Sequence, residues 1–296
     1  MNAVQQHSRR PAGRAETEAA AAVAASALPV DAHVHLHPQH SLPAVFGSAV
    51  EQFRLARSRP WADDSAIGAL LLAEVRGVDV FDDLLCRRRE LRIDEGWSLE
   101  PTDEPVSLVV QGAGGERLVL VRGRQIVTAE KLEVLALFST ATPPDGLPLL
   151  ETVDRVRRSG ALVVVPWGFG KWWRARGRLV RDLIRSQEPG SIYLGDNGCR
   201  PRIGASPPLF DLARRRGFRI LPGSDPLPLP GHQLRAGSYG FLVAVTLDLA
   251  APARELERSI RDPEARLRVY GRRRSLPGFV SDQLAMQRLK RGVRRP

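Results

Sequence analysis

Val30-Asp31-Ala32-His33-Val34-His35-Leu36-His37-Pro38 alternates apolar and polar residues and stops at a proline. A period of two is the mark of a strand, and it places His33, His35 and His37 on one face. Imidazoles brought together in this way can share one metal ion. Six histidines occur in the protein, and four of them lie between 33 and 40. That concentration makes the strand end the first place to look for chemistry.

Outward from this strand the pattern continues. Leu42–Arg57 has helical spacing, and Ile67–Ala73 is a short apolar run that reads as a buried strand ending at Glu74. Val78–Arg89 reads as a helix with acids first and arginines last, which suits the helix dipole. Val106–Gln111 and Arg117–Val121 flank a glycine-rich turn and read as a hairpin; Leu132–Phe138 is a further strand. From Leu149 helices alternate with strands: helices 149–158, 178–186 and 209–216, strands 161–165, 191–194, 218–221 and 241–247. Helices near 252–261 and 278–290 close the chain. Such alternation predicts an α/β fold with parallel strands and outer helices. Seven or eight strands on short connections predict a barrel, and no linker divides it into two domains.

The composition fits a globular enzyme-sized chain: 296 residues, 43% hydrophobic and 26% charged. No run of 18 apolar residues exists, so no membrane span is expected. Two cysteines, Cys86 and Cys199, exclude a disulfide framework and a cysteine zinc site. The net charge is +11, and only Lys131, Lys171 and Lys290 among the basic residues are lysines. Residues 254–296 carry most of the excess. No pattern of base-stacking aromatics accompanies it, so this charge reads as a solvated helix face, and nucleic acid is not the expected partner. Residues 1–28 are alanine-rich, but Glu16 and Glu18 interrupt them. They read as a disordered leader, not a signal peptide, and the chain is expected in the cytoplasm.

The Asp31-x-His33-x-His35 strand end resembles the opening motif of the amidohydrolase-like metallohydrolases. It is most similar to that of the polymerase-and-histidinol-phosphatase (PHP) superfamily. Leu221-Pro222-Gly223-Ser224-Asp225-Pro226 resembles the superfamily's late strand end, whose aspartate ligates metal. Between them, Gly123 to Glu130 and Glu133 to Leu137 are similar to its Gly-x-Glu strand and the strand that follows. The resemblance spans residues 29–250 and implies a distorted (β/α)7-type TIM-like barrel. It also implies phosphoester hydrolysis by a metal-activated water.

Several of the superfamily's histidines have no counterpart here. The positions near Ala73-Glu74-Val75, Val165-Pro166-Trp167 and Leu227 lack imidazoles, and Gln125 stands at the Gly-x-Glu position. What remains is His33, His35 and Asp225, with Glu130 or Glu133 to complete the set and Glu74 as a further candidate. That set suits one divalent ion, zinc, manganese or iron. Loops following the late strands supply the remaining candidates. Asp196 and Asp225 are the expected catalytic carboxylates. Trp167, Lys171, Asn197 and Arg200 are the expected contacts to an anionic small molecule or glycan. The resulting expectation is a 29–250 barrel acting as a metal-dependent, phosphoesterase-like hydrolase, with basic helices 251–296 packed on it. The alternative is a non-catalytic PHP-like binding protein with a degenerate metal site.

Overall fold

The computed structural model describes residues 27–57, 66–87, 96–204 and 206–292. Its first half contains β1 (Ala27–Val34), α1 (Leu42–Ala56), β2 (Ala66–Leu72), α2 (Val80–Arg87), β3 (Ser98–Pro101), β4 (Ser107–Gln111), β5 (Arg117–Val121), β6 (Gly123–Val127) and β7 (Glu133–Leu137). The second half contains α3 (Leu149–Arg158), β8 (Leu162–Pro166), α4 (Arg174–Ser186), β9 (Tyr193–Asn197), α5 (Pro208–Arg215) and β10 (Ile220–Gly223). A 3-10 turn (His232–Arg235), β11 (Tyr239–Ala244), α6 (Pro252–Arg261), β12 (Arg268–Gly271) and α7 (Leu276–Gly292) follow. None of the described helices is long and apolar enough to cross a membrane.

Hydrogen bonding divides the strands into two sheets, ordered β12-β11-β1-β2-β5-β4-β3 and β10-β9-β8-β7-β6. The fold is α/β in one domain, but strand pairing alone does not make the single closed ring expected from the sequence. The strands are also less uniformly parallel than expected. β7 runs antiparallel to both β6 and β8, and β11 runs antiparallel to β1. For β6 and β7 the reason lies in the connection. Short turns join β4 to β5 and β6 to β7, and a two- to five-residue turn can only reverse a strand.

The sheets meet at two seams. At one, Asp225 N donates to His33 O (2.8 Å), and Gly223 lies against the His33 backbone where a side chain would overlap it. At the other, Glu74 N donates to Gly123 O (3.1 Å) and Gln125 N donates to Glu74 O (2.8 Å). Between the seams both sheets face one shared core, including Val30 and Ala32 of β1, Leu135 and Leu137 of β7, and Tyr193 of β9. Two outer cores complete the layers. Phe46 and Phe53 of α1 cover the larger sheet, and Val156, Val180 and Phe210 of α3, α4 and α5 cover the smaller one. Strands buried on both faces explain the unbroken apolar runs, such as Ala66–Leu72, in which every residue is buried. Each fully buried Leu or Val contributes about 1.5–3 kcal/mol.

The chain ends differ from the sequence expectation. Residues 1–26 of the leader lie outside the described residues, while Ala27 and Leu28 belong to β1 and pair with Ala244 and Val243. Beyond residue 250, α6 places Ala253, Leu256 and Ile260 in the shared core, and β12 extends the larger sheet beside β11. This segment is built into the fold, not laid over it.

Asp31 ties these parts together. It is fully buried, and its carboxylate accepts three backbone N–H groups: Ser224 (2.8 Å) after β10, Gly237 (2.8 Å) after the 3-10 turn, and His33 (3.3 Å) on its own strand. Burial pushes its carboxyl up to about 6 against the lowering effect of these donors. Asp31→Asn keeps the shape but sets an amide N–H against one of the three donors. Chemical denaturation of this variant is expected to show a loss of about 1–3 kcal/mol. Unchanged stability would show that the three bonds do not hold the seam.

Candidate metal centre

β1 delivers His33, and the chain just beyond it delivers His35. Their Nε2 atoms lie 3.0 Å apart. Asp225 follows β10 and completes the group, its Oδ1 being 3.4 Å from His35 Nε2 and 3.8 Å from His33 Nε2. Among the described residues this is the one cluster of histidines, cysteines and acids with donor atoms all within 4.8 Å of one another. Asp225 adopts a left-handed backbone (φ 51°) immediately before Pro226, a conformation that the proline disfavours. This turn swings the carboxylate back towards the imidazoles. Cys199 lies beneath it and donates its thiol to Asp225 O at 3.0 Å.

Local electrostatics prepare the donors. Burial, aided by the neighbouring His33, pushes the His35 imidazole down to about 3. Burial also opposes ionisation of Asp225, but His33, His35 and Lys171 outweigh it and hold the carboxyl below its ordinary value. Two imidazole nitrogens and one carboxylate oxygen suit a single zinc, manganese or iron ion with coordination positions left over.

A cavity of about 340 Å³ opens at this cluster, lined by His35, His37 and Asp225 at one end. Gln125, Glu133 and Lys171 form a second side, with Glu133 engaged by Lys171 and by Gln125 Nε2 (3.3 Å). Trp167 and Asn197 line it too, and Asn197 Nδ2 donates to Trp167 O at 2.7 Å. Of the neighbouring tryptophans, Trp172 is buried against Phe210 and Trp173 is exposed, edge-on to Phe169.

Five residues singled out from the sequence are engaged elsewhere. Asp196 and Arg200 are outside the cavity lining and face each other in a buried bidentate pair (2.7 and 2.9 Å), with Tyr239 OH donating to Asp196 at 2.8 Å. A carboxylate and a guanidinium that satisfy each other away from solvent hold the β9 loop in place instead of meeting substrate. Glu130 turns away and accepts Leu149 N (3.1 Å) at the start of α3, because the turn through Lys131 (φ 63°) carries it past the strand end. Glu133 borders the cavity but belongs to the lysine pair, outside the metal cluster. Glu74 also leaves the metal cluster. Its Oε1 accepts Phe81 N (2.8 Å) in the first turn of α2, and burial raises its carboxyl to about 7.

The largest element missed from the sequence is the cavity's far wall. Phe279, Gln283, Met286 and Lys290 of α7 recur at helical spacing and face the cavity. The helix is anchored through Asp282, which accepts Arg274 in a bidentate pair (2.7 and 2.9 Å) and receives His232 Nε2–H at 3.2 Å. His232 Nδ1 in turn accepts Leu227 N (3.1 Å), which assigns the tautomer and links α7 to the loop bearing Asp225.

The chain matches no protein-family profile and no curated protein. It is similar to the solved structure of PsfC from Pseudomonas syringae PB-5123, with 14% identity, a TM-score of 0.54, and coverage of 89% of this chain and 99% of that one. The lesion-specific endonuclease PfuEndoQ from Pyrococcus furiosus is also similar, at 14% identity and TM-score 0.47 over 81% of this chain and 57% of that one. A third structure, Endonuclease Q with a 27-mer duplex bearing an abasic lesion, gives 14% identity and TM-score 0.42 over 79% and 55%. At this identity the PsfC likeness speaks to fold alone. The exclusion of nucleic acid drawn from the sequence is withdrawn, because the Endonuclease Q complex holds a DNA duplex. A likeness of that size assigns this chain no nucleic-acid activity.

Two outcomes are expected. Because Glu74 has a raised carboxyl, the folded protein retains a proton that the unfolded chain releases, so this stabilisation is lost as pH rises from about 4 through about 7. Urea titrations across that range are expected to show the advantage of wild type over Glu74→Gln shrinking by about 2–3 kcal/mol; a pH-independent difference would refute it. Asp282→Asn is expected to cost about 1–3 kcal/mol and to raise amide hydrogen exchange across α7. Unaltered exchange there would show that the helix is anchored elsewhere.

Proposed function

We propose that this protein is a metal-dependent hydrolase of phosphate esters, and that its two sheets together form the distorted barrel of the PHP kind. The observation that carries the reading is the convergence of His33, His35 and Asp225, the last two lining a half-open cavity. A divalent ion held there supplies Lewis-acid polarisation of a phosphoryl oxygen and makes a water acidic enough to ionise near neutral pH.

The chain's own residues divide the remaining work. Asp225 and the two histidines hold the ion. Lys171 is paired with Glu133 and Lys290 lies on the lining without an ion-pair partner among the described residues, so an ion held at Asp225 leaves the cavity favouring an anionic substrate. His37 donates Nε2–H to Pro226 O at 3.0 Å, which leaves Nδ1 as the acceptor of a proton. Burial holds this imidazole below its ordinary value and therefore neutral at pH 7. Trp167 presents an apolar surface that excludes water beside the reacting group. Lys171 orients the phosphoryl oxygens when substrate displaces it from Glu133.

The pairing of Asp196 with Arg200 favours one second reading, a binding protein that keeps the ion without turnover, because it removes a carboxylate from the cavity. Elemental analysis and a phosphatase assay separate the two. Purified protein is expected to take up one divalent ion per chain and to hydrolyse 4-nitrophenyl phosphate or its bis ester. Chelation is expected to abolish that activity and manganese or zinc to restore it. His33→Ala together with His35→Ala is expected to remove both ion and activity. Full activity in metal-free protein would refute the ligand assignment, two or more ions per chain the single-ion claim, and bound ion without turnover the hydrolase.

A further inference from the structure

The cavity, at about 340 Å³, is larger than a phosphate needs, and its lining carries an exposed, uncompensated cation. Of its two lysines, Lys171 is engaged by Glu133. Lys290 has no hydrogen-bond or ion-pair partner among the described residues. Its place is set by the α7 anchor. Asp282 is fixed beside the loop of Asp225, and Lys290 lies about two turns further on, roughly 12 Å along the helix axis. Beside Gln283, the lining from α7 and the neighbouring loop is apolar. Phe169 and Phe279 meet edge to face with centroids 5.0 Å apart, and Met286 continues the surface.

We infer that the substrate is bipartite. Its ester phosphate is bound at His33, His35 and Asp225, an apolar body of about one aromatic ring lies against Phe169, Phe279 and Met286, and a second anionic group reaches Lys290. The inference rests on the hydrolase reading for the chemistry and on α7 for the shape. A flat apolar body suits the ring edges and the pliable thioether. The ammonium on its long stem acts as a point charge that accepts a carboxylate or a phosphate.

Two phosphonates that cannot be hydrolysed test it: phenylphosphonate and 4-carboxyphenylphosphonate. Both are titrated by calorimetry into full-length, manganese-loaded protein. The matching phosphate esters are assayed in parallel. The carboxylated ligand is expected to bind about fivefold more tightly, the size of a partly exposed ion pair. Lys290→Met is expected to bring the ratio to about one, since it removes the only charge that distinguishes the two ligands. Arg288→Met removes a charge from the same helix outside the cavity lining, and is expected to keep the preference. Equal binding of the two phosphonates to wild type, or loss of the preference in Arg288→Met as well, would overturn the inference. Turnover of neither ester defeats the hydrolase reading separately, and phosphonate binding still decides the class of ligand.

Discussion

The buried carboxylate of Asp31 is the constraint on which the site depends. Three separate stretches of backbone donate to it: β1 itself, the turn after β10, and the residue after the 3-10 turn. The two sheets share few hydrogen bonds at this seam, so the carboxylate does what a strand ladder does elsewhere. It fixes where β10 ends relative to β1, and hence the approach of Asp225 to His33 and His35. A buried acid normally destabilises a fold. Here the donors offset much of that cost, and the geometry they impose brings the candidate ligands together.

The same economy recurs around the cavity. Asp196 with Arg200 and Tyr239, Asp282 with Arg274 and His232, and Glu74 with the first turn of α2 are polar groups whose capacity is taken up internally. Each one locks a loop that follows a strand. Loops carrying chemistry must be rigid to within a fraction of an ångström, yet they have few apolar contacts to hold them. Charged side chains that bond to one another or to backbone supply that rigidity. The residues left over, at the metal cluster and at Lys290, are those free to meet something else.

This division explains which parts of the site were legible in the sequence. His33, His35 and Asp225 sit at strand ends, where alternation and order along the chain specify position. Apolar runs buried on both faces made strands legible: Arg117–Val121 falls where expected, and Ala66–Leu72 lies one residue ahead of the expected Ile67–Ala73. Asp196, Arg200 and Glu130 carry equally suggestive side chains, but sequence cannot say whether a charged group faces the cavity or a partner four or nineteen residues away. The wall formed by α7 was hidden for a related reason. Phe279, Gln283, Met286 and Lys290 form a stripe, but twelve arginines after residue 253 make the segment read as a solvated surface. Composition describes the outer face of such a helix, while the anchor that holds it is the buried Asp282. The antiparallel β7 and the pairing into two sheets escaped because helix–strand alternation does not report short reversing turns.

The protonation states at the metal cluster show the balance most directly. A metal ligand must reach the ion as neutral imidazole or ionised carboxylate. Burial alone favours the first and opposes the second, since it penalises every charged form. For His35, burial and the adjacent His33 act in the same direction, and the imidazole stays neutral down to about pH 3. For Asp225, burial by itself would favour the protonated acid, which binds metal poorly. The imidazoles and the Lys171 ammonium reverse the sign and keep it ionised. Lys171 acts on the carboxylate across the cavity while bonded to Glu133, so the pair that keeps this lysine in place also serves the ligand set. Burial therefore keeps His35 neutral, the polar surroundings of Asp225 keep its carboxyl below the ordinary value, and both reach neutral pH in the form that binds a divalent cation.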